Sequence, residues 1–406
     1  MDKSTGQTDA TLPVLRRISV SAVMGALITG DQLDASELMK RTGLSRPTVL
    51  TVCDELLRRG WITEGFASSG LPRSGRPSRR FSLAAAAGYV LGIDLGATKL
   101  QMCLSDLSGT VVAESSERWR DEHVGAPERL RIARQRTHEL LASSGVGSWQ
   151  VMAAGMAVPA PVGPDGHATA LESYLPGLSA LDLRLGLRPD FDWPLTVDND
   201  ANLAVLAERW QGAARGVENV VALLSGERLG AGIFLGGQIV RGGGSAGEMK
   251  FLRFVEGVGN TDAIGGMCRE LGAIAAADIL DGEGPLSTAN SELIRLCGGV
   301  PAAVDAEMVI RAARNGDEAA LEVLEVVTAR TARVIAVVAT LLDPQLVVLS
   351  GGPAGAGDIL IPLIDEKLGG LDSAHPRLAA STLTDQAPLR GAVRVALDHA
   401  FASVLV

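Results

Sequence analysis

The strongest constraint on this chain is a β-meander that is written into it twice. Tyr89-Val90-Leu91-Gly92-Ile93-Asp94-Leu95 is an apolar strand running into the turn Gly96-Ala97-Thr98-Lys99. A run from Leu100 to Leu104 follows, and then Val111 to Ala113 beyond Asp106 to Thr110. The same rhythm returns as Val220 to Leu224, Gly230 to Leu235 and Gln238 to Arg241. Short apolar runs broken by Gly and Asp turns pair as antiparallel strands, and a repeated supersecondary unit signals duplicated architecture. Two sheet-centred lobes are therefore expected, and 406 residues leave room for a small module ahead of them.

That module reads as helical. Pro13 to Thr29 carries Val14, Leu15, Ile18, Val20, Val23, Met24, Leu27 and Ile28 at helical spacing and stops at Gly30, with residues 1–12 expected as a disordered tail. Asp34 is placed to cap a helix over Ala35 to Arg41, Gly43 to turn the chain, and Ser45 to cap a third helix ending near Arg59. Val49, Cys53, Leu56 and Leu57 fall on one face of the third helix, which leaves Arg46, Pro47, Thr48 and Thr51 outward on its first turns. A recognition helix enters the DNA major groove N-terminus first, so these four are the candidates for base contact. An ordinary helical bundle has the same pattern. The next segment separates the two: Gly60-Trp61-Ile62-Thr63-Glu64 and Phe81-Ser82-Leu83 form a hairpin around a loop with Arg73, Arg76, Arg79 and Arg80 and no acid. Such a basic wing suits phosphates or a narrow minor groove, the alternative being a solvated linker. Residues 13–83 are thus read as a winged helix-turn-helix.

The net charge of -10 is unevenly spread. Residues 1–83 hold 12 Lys and Arg against 8 Asp and Glu, or +4, leaving 25 against 39, or -14, for the remainder. Local positive charge is what a duplex attracts, and an acidic remainder is repelled by it. Aromatic residues at 3% argue against a base-stacking platform. Cys53, Cys103, Cys268 and Cys297 are far apart, which argues against a disulfide framework. No apolar run reaches the roughly 18 residues of a membrane span, so a cytoplasmic location is expected.

In Asp94-Leu95-Gly96-Ala97-Thr98-Lys99 the small residues let the backbone approach a phosphate, Thr98 offers a hydroxyl, and Asp94 can hold a metal or water; a tight hairpin would also want Gly96. Further motifs follow: Gly155-Met156-Ala157-Val158-Pro159-Ala160-Pro161-Val162, Val197-Asp198-Asn199-Asp200-Ala201-Asn202, Gly230-Ala231-Gly232, Ala246-Gly247-Glu248, and Asp343-Pro344-Gln345 with Ser350-Gly351-Gly352. In this order they resemble the ROK family, which contains sugar kinases and repressors with an added winged helix, and the resemblance covers nearly the whole chain. It implies an α/β fold, a winged helix-turn-helix followed by a two-lobed actin/hexokinase-like (ribonuclease H-like) domain, with residues 84–200 and a C-terminal helix 388–406 in one lobe and 201–387 in the other.

The resemblance also implies roles. Asp200 matches the kinases' general base, Asn199, Asp200, Glu248 and, more remotely, Glu270 match residues that bind sugar hydroxyls, and Asp94, Gly96, Thr98, Lys99, Gly351 and Gly352 match phosphate-binding positions. Each has a plainer reading: Asp198 or Asp200 as a helix cap, Glu248 as a surface turn acid. Three departures weaken the kinase reading. The second phosphate loop is Ser225-Gly226-Glu227-Arg228-Leu229-Gly230, whose carboxylate repels a triphosphate and is placed to pair with Arg228. The family's zinc-ligating histidine is Phe251 and only Cys268 of its cysteines remains, so no metal is expected. A family asparagine is replaced by Tyr174. The expectation is a sugar-responsive regulator, a repressor by family type, without enzymatic activity or cofactor. Its partners would be a double-stranded DNA operator, a sugar or sugar phosphate, and a second copy of the chain. The alternatives are an ATP-dependent hexose kinase carrying a DNA-binding module and a ligand-independent DNA-binding protein.

Overall fold

The computed structural model describes residues 8–28, 30–66, 78–119, 124–163, 165–168, 176–188, 190–282, 291–371 and 375–404. Two compact units divide the chain: Met1–Val158, Gly166–Asp198 and Ala392–Val406 form the first, Pro159–Asp165 and Asn199–Gly391 the second.

The first unit opens with α1 (Thr8–Leu27), β1 (Leu33–Asp34), α2 (Ala35–Thr42), α3 (Arg46–Arg58), β2 (Ile62–Phe66) and β3 (Arg79–Leu83). The helix expected from Pro13 begins at Thr8, so residues 8–12 are not part of a disordered tail. Polar residues extend a helix without adding to its apolar periodicity, which is why the pattern showed only the later start. Asp34 closes a capping box, accepting from Ser36 N at 2.8 Å and Glu37 N at 2.9 Å, while Glu37 accepts from Asp34 N at 2.7 Å. On α3 the buried face is Val49, Val52, Cys53 and Leu56; Val52 takes the place expected of Leu57, as spacing of three and four residues requires. These side chains pack with Val23, Met24, Leu27, Leu38 and Phe81 in the module's core. The hairpin β2–β3 gains β1 as a third strand, in the order β1-β3-β2.

Next come β4 (Tyr89–Leu95), β5 (Lys99–Asp106), β6 (Val111–Arg118), α4 (Ala126–Ser144), β7 (Val151–Val158) and β8 (Leu195–Asn199), in a sheet of order β6-β5-β4-β7-β8. The meander is antiparallel and β7 joins β4 in parallel. In the second unit, after α5 (Asp200–Trp210), β9 (Val220–Ser225), β10 (Leu229–Leu235) and β11 (Gln238–Ile239) repeat the meander. Then α6 (Ile264–Asp281), α7 (Glu292–Cys297), α8 (Ala306–Arg314), α9 (Glu318–Leu342), β12 (Leu346–Ser350), α10 (Gly357–Gly369) and β13 (Arg377–Ala380) complete it, with sheet order β11-β10-β9-β12-β13. Numbered along the chain, both sheets read third, second, first, fourth, fifth strand. The duplication seen in the meanders therefore extends to whole sheets.

The final helix, α11 (Ala387–Ser403), begins in the second unit and ends in the first. Two close backbone approaches seat it. A Cβ on Gly155 of β7 would lie 2.0 Å from the Ala392 carbonyl oxygen, and one on Gly391 would lie 1.9 Å from that of Leu203 in α5. Only glycine fits at either place.

Candidate functional site

The recognition helix begins at a built cap. Ser45 Oγ accepts from Thr48 N at 3.4 Å and meets the Thr48 hydroxyl at 2.8 Å, so Thr48, expected to face bases, is tied into the cap. Arg46, Pro47 and Thr51 are exposed. Among the described residues Arg46 makes no hydrogen bond or ion pair, and its guanidinium is available to an anionic partner.

The arginines of the wing differ from their expected state. Arg79 donates to Glu64 at 2.7 Å and to Asp54 at 2.8 Å, and these carboxylates raise its pKa above the ordinary arginine value. Arg80 donates to the Gln32 carbonyl and lies 3.6 Å from Glu37. The loop has no acid of its own, but α2, α3 and β2 supply the counter-charge, so these two guanidiniums brace the module. Arg73 and Arg76 lie outside the described residues. Cys53 is core: burial pushes its thiol up to about 12.

A second cluster forms at the N-terminus of α5. Asn199 is the cap, accepting from Ala201 N at 3.0 Å and Asn202 N at 3.2 Å, while its amide donates to the Ala160 carbonyl at 3.2 Å. The capping role considered for Asp198 or Asp200 thus belongs to Asn199. Asp200 is the first helical residue and accepts from Ala201 N at 2.8 Å. It is half-buried, and desolvation pushes its carboxyl up to about 7, the Ala201 N–H acting against the shift and the charge of Glu248 adding to it. Glu248 is no loose turn acid. Its backbone bridges Gly230 of β10, and the carbonyl of the preceding Gly247, at φ 86°, accepts from Ala231 N at 3.0 Å. Burial raises the Glu248 pKa too, against the charges of Lys250 and Arg228. Two coupled carboxyl groups of raised pKa can both accept from and donate to hydroxyl groups, the chemistry of polyol recognition. Glu270 is exposed on α6, and among the described residues no hydrogen bond or ion pair joins it to this pair.

The turn after β4 is held by two residues that sequence reasoning missed. Arg129 of α4 is fully buried and donates to the carbonyls of Gly96 at 2.6 Å, Ala97 at 2.9 Å and Val124 at 2.8 Å, stacked 4.7 Å from the Trp119 ring. Trp119 Nε1 also donates to the Gly96 carbonyl, at 2.9 Å. The signal existed: Arg129 stands in the apolar stripe of α4 with Ala126, Leu130, Ala133 and Leu140. Asp94 is buried and faces Gln101 across the β4–β5 pair, Thr98 is exposed, and Lys99 opens β5. In the second unit Gly351, at φ 95°, donates to the Thr384 carbonyl at 3.2 Å, and Gly352 opens a 3-10 turn.

The second glycine loop has turned inward. Glu227 pairs with Arg269 at 2.8 Å, not with its neighbour Arg228, which donates to Thr261 Oγ1 at 3.0 Å. A helix N-terminus is a ready anion site through its free N–H groups. Here the loop takes two of those of α6, Ile264 N donating to Ser225 Oγ at 3.0 Å and Gly266 N to the Gly226 carbonyl at 3.2 Å, and at the cap Ala263 N donates to the Glu227 carbonyl at 3.1 Å. Cys268 is buried in α6 with its thiol pushed up to about 12, and Phe251 is exposed in the 3-10 turn Met249–Phe254. Another missed residue, Arg330 of α9, holds the segment before α6, donating to the carbonyls of Val258 at 2.8 Å and Asn260 at 2.7 Å. Tyr174 lies outside the described residues. No described helix is long and apolar enough to cross a membrane.

The profile of the ROK family matches residues 90–399. A protein of Caldicellulosiruptor sp. strain Rt8B.4, provisionally named xylose repressor, is 22% identical over 404 residues, which covers 96% of this chain and 98% of that protein. A glucokinase of Thermotoga maritima is 31% identical over 206 residues, covering 49% of this chain and 64% of the enzyme. The solved structure of a ROK family transcriptional regulator, described as a homolog of the E. coli MLC protein, has a TM-score of 0.75 at 21% identity and covers 96% of this chain and 98% of its own.

Proposed function

This chain belongs to the ROK family, and from that premise we propose that it is a DNA-binding transcriptional repressor whose operator affinity responds to a sugar or sugar phosphate. The observation that carries the reading is the capped helix α3, whose N-terminal face presents Arg46, Pro47 and Thr51 to solvent in a winged module joined to the family domain. The likeness to the provisionally named xylose repressor spans that module as well as the domain, whereas the glucokinase match covers about half the chain. Asn199, Asp200 and Glu248 are the effector site, with Glu270 a peripheral member. The protein acts in the cytoplasm, as a dimer on an inverted repeat, because two-fold symmetry in a protein is matched by palindromy in its operator.

Catalysis is not part of this reading. Ile264 N and Gly266 N at the start of α6 are occupied by the Ser225–Glu227 loop and Glu227 is paired with Arg269. One observation favours the kinase alternative: a carboxyl poised near pH 7 is what a general base needs, and Asp200 has it. Two experiments separate the readings. Selection from a random duplex library should enrich one inverted repeat with the wild-type chain and none with Arg46→Ala; a wild-type chain that enriches nothing ends the regulator reading. An ADP-release assay over a hexose panel should give no turnover, and turnover abolished by Asp200→Asn would establish the kinase.

A further inference from the structure

The C-terminal end of α11 meets the end of the recognition helix. Arg59, the residue that closes α3, donates from Nη1 to the Val404 carbonyl at 3.2 Å and from Nε to Glu55 Oε1 at 2.6 Å. Glu55, with only 12% of its side chain exposed, also pairs with Arg58 and lies 3.9 Å from Arg16 of α1. The Val404 carbonyl stands where unsatisfied carbonyls and the helix dipole concentrate partial negative charge, so a guanidinium is its natural partner. Elsewhere α1 and α11 are not close-packed: a groove of about 610 Å³ runs between them, lined by Ile18, Ser21, Ala22, Gly25, Arg394 and Ala402. The tie between α11 and α3 is therefore specific and narrow.

The other end of α11 is seated on the effector candidates' own helix. Gly391 lies so close to α5 that a Cβ there would be 1.9 Å from the Leu203 carbonyl, and Leu203 is one turn beyond Asn199 and Asp200. Interlocked helices without slack move as rigid bodies. α11 is one continuous helix of 17 residues, and Gly391 and Val404, at the two contacts, stand about 20 Å apart along it at the α-helical rise.

We propose that α11 is the element that transmits effector occupancy at the N-terminus of α5 to the recognition helix, with Arg59 as the positioning residue at its far end. This rests on the sensing reading above. A ligand that draws on Asn199, Asp200 or Glu248 displaces α5, α5 carries the first turn of α11, and the Val404 carbonyl carries Arg59 and the last turn of α3.

The test uses the full chain, a duplex selected by the wild-type protein, and D-glucose and D-xylose as probes. Operator affinity is measured with and without each sugar, and sugar affinity by calorimetry, for wild type, Arg59→Ala and Arg59→Lys. The wild-type operator affinity should shift by about 10-fold, within the usual span of allosteric couplings. Arg59→Ala should bind the duplex and the sugar as wild type does, each to within about 3-fold, yet shift by less than about 2-fold, and Arg59→Lys should recover part of the shift. Arg59→Ala with the full wild-type shift overturns the relay. A wild-type chain that binds sugar and duplex without any shift defeats the sensing reading itself, whatever Arg59 does. Should Arg59→Ala fail to fold, amide exchange in the wild-type chain decides: protection at residues 56–61 should change with sugar, and an unchanged pattern alongside a shifted operator affinity overturns the relay.

Discussion

Asp200 joins two demands that oppose each other. Its place at the first turn of α5 favours a carboxylate, while burial and the charge of Glu248 push its pKa up to about 7. In an unfolded chain the group ionises near its ordinary value of about 4, so between about pH 4 and about pH 7 the native state binds more protons than the unfolded one. Stability from this residue is therefore greatest at low pH and falls as pH rises through that window. Asp200→Asn should melt higher than wild type at pH 8, with the gap shrinking towards pH 5; thermal melts showing an equal gap at both pH values would remove Asp200 as its source. Arg79 illustrates a different residue-scale lesson. Its partners Glu64 and Asp54 are 15 and 25 positions away, and the loop's own lack of acids gave no hint of them. Arg79→Ala should accordingly lower the melting temperature of the module while weakening DNA binding less than Arg46→Ala, which is expected to cost about 1–3 kcal/mol of duplex affinity. The reverse ranking in a binding titration would return Arg79 to the DNA surface. Glu227 belongs with Arg79: its pairing with Arg269, 42 positions on, was hidden behind the nearer Arg228.

At the scale of elements, what was legible followed the period of the apolar residues. Both meanders showed themselves because each strand is a short buried run closed by Gly or Asp, and Asp34 and Ser45 announced their helices through capping chemistry. β1 did not, since two residues have no period, and the first turn of α1 did not, since it is polar. Gly155 stood in a motif without an evident reason until α11 was seen against it. Gly155→Ala would place a methyl group 2.0 Å from the Ala392 carbonyl; overpacking of this kind costs about 1–3 kcal/mol or more. It should lower the melting temperature clearly, and a variant as stable as wild type would mean that α11 has room to move off β7, which would also loosen the relay. The Ile264 and Gly266 amides of α6 are a similar case. Their capture by the Ser225–Glu227 loop follows from the close approach of Gly265 and Gly266 to that loop, a tertiary fact that a spacing of glycines does not encode.

For the molecule as a whole, sequence motifs reached the family and the duplicated sheets, while the site was reached only in part. Asn199, Asp200 and Glu248 come together in the second unit, Glu270 stays apart, and Arg59, Arg129 and Arg330 emerge from the packing. Their partners are mostly backbone carbonyls, which look alike in every sequence. The central claim is that one chain reads DNA and senses a sugar. Titration of D-glucose and of D-xylose into the wild-type chain bound to its selected duplex, at fixed salt and followed by fluorescence anisotropy, tests it most directly. The account predicts that one of the two changes the duplex affinity about 10-fold and that Asp200→Asn abolishes the change. Unaltered affinity with both sugars, accompanied by their conversion to phosphorylated products in the presence of ATP, would contradict it.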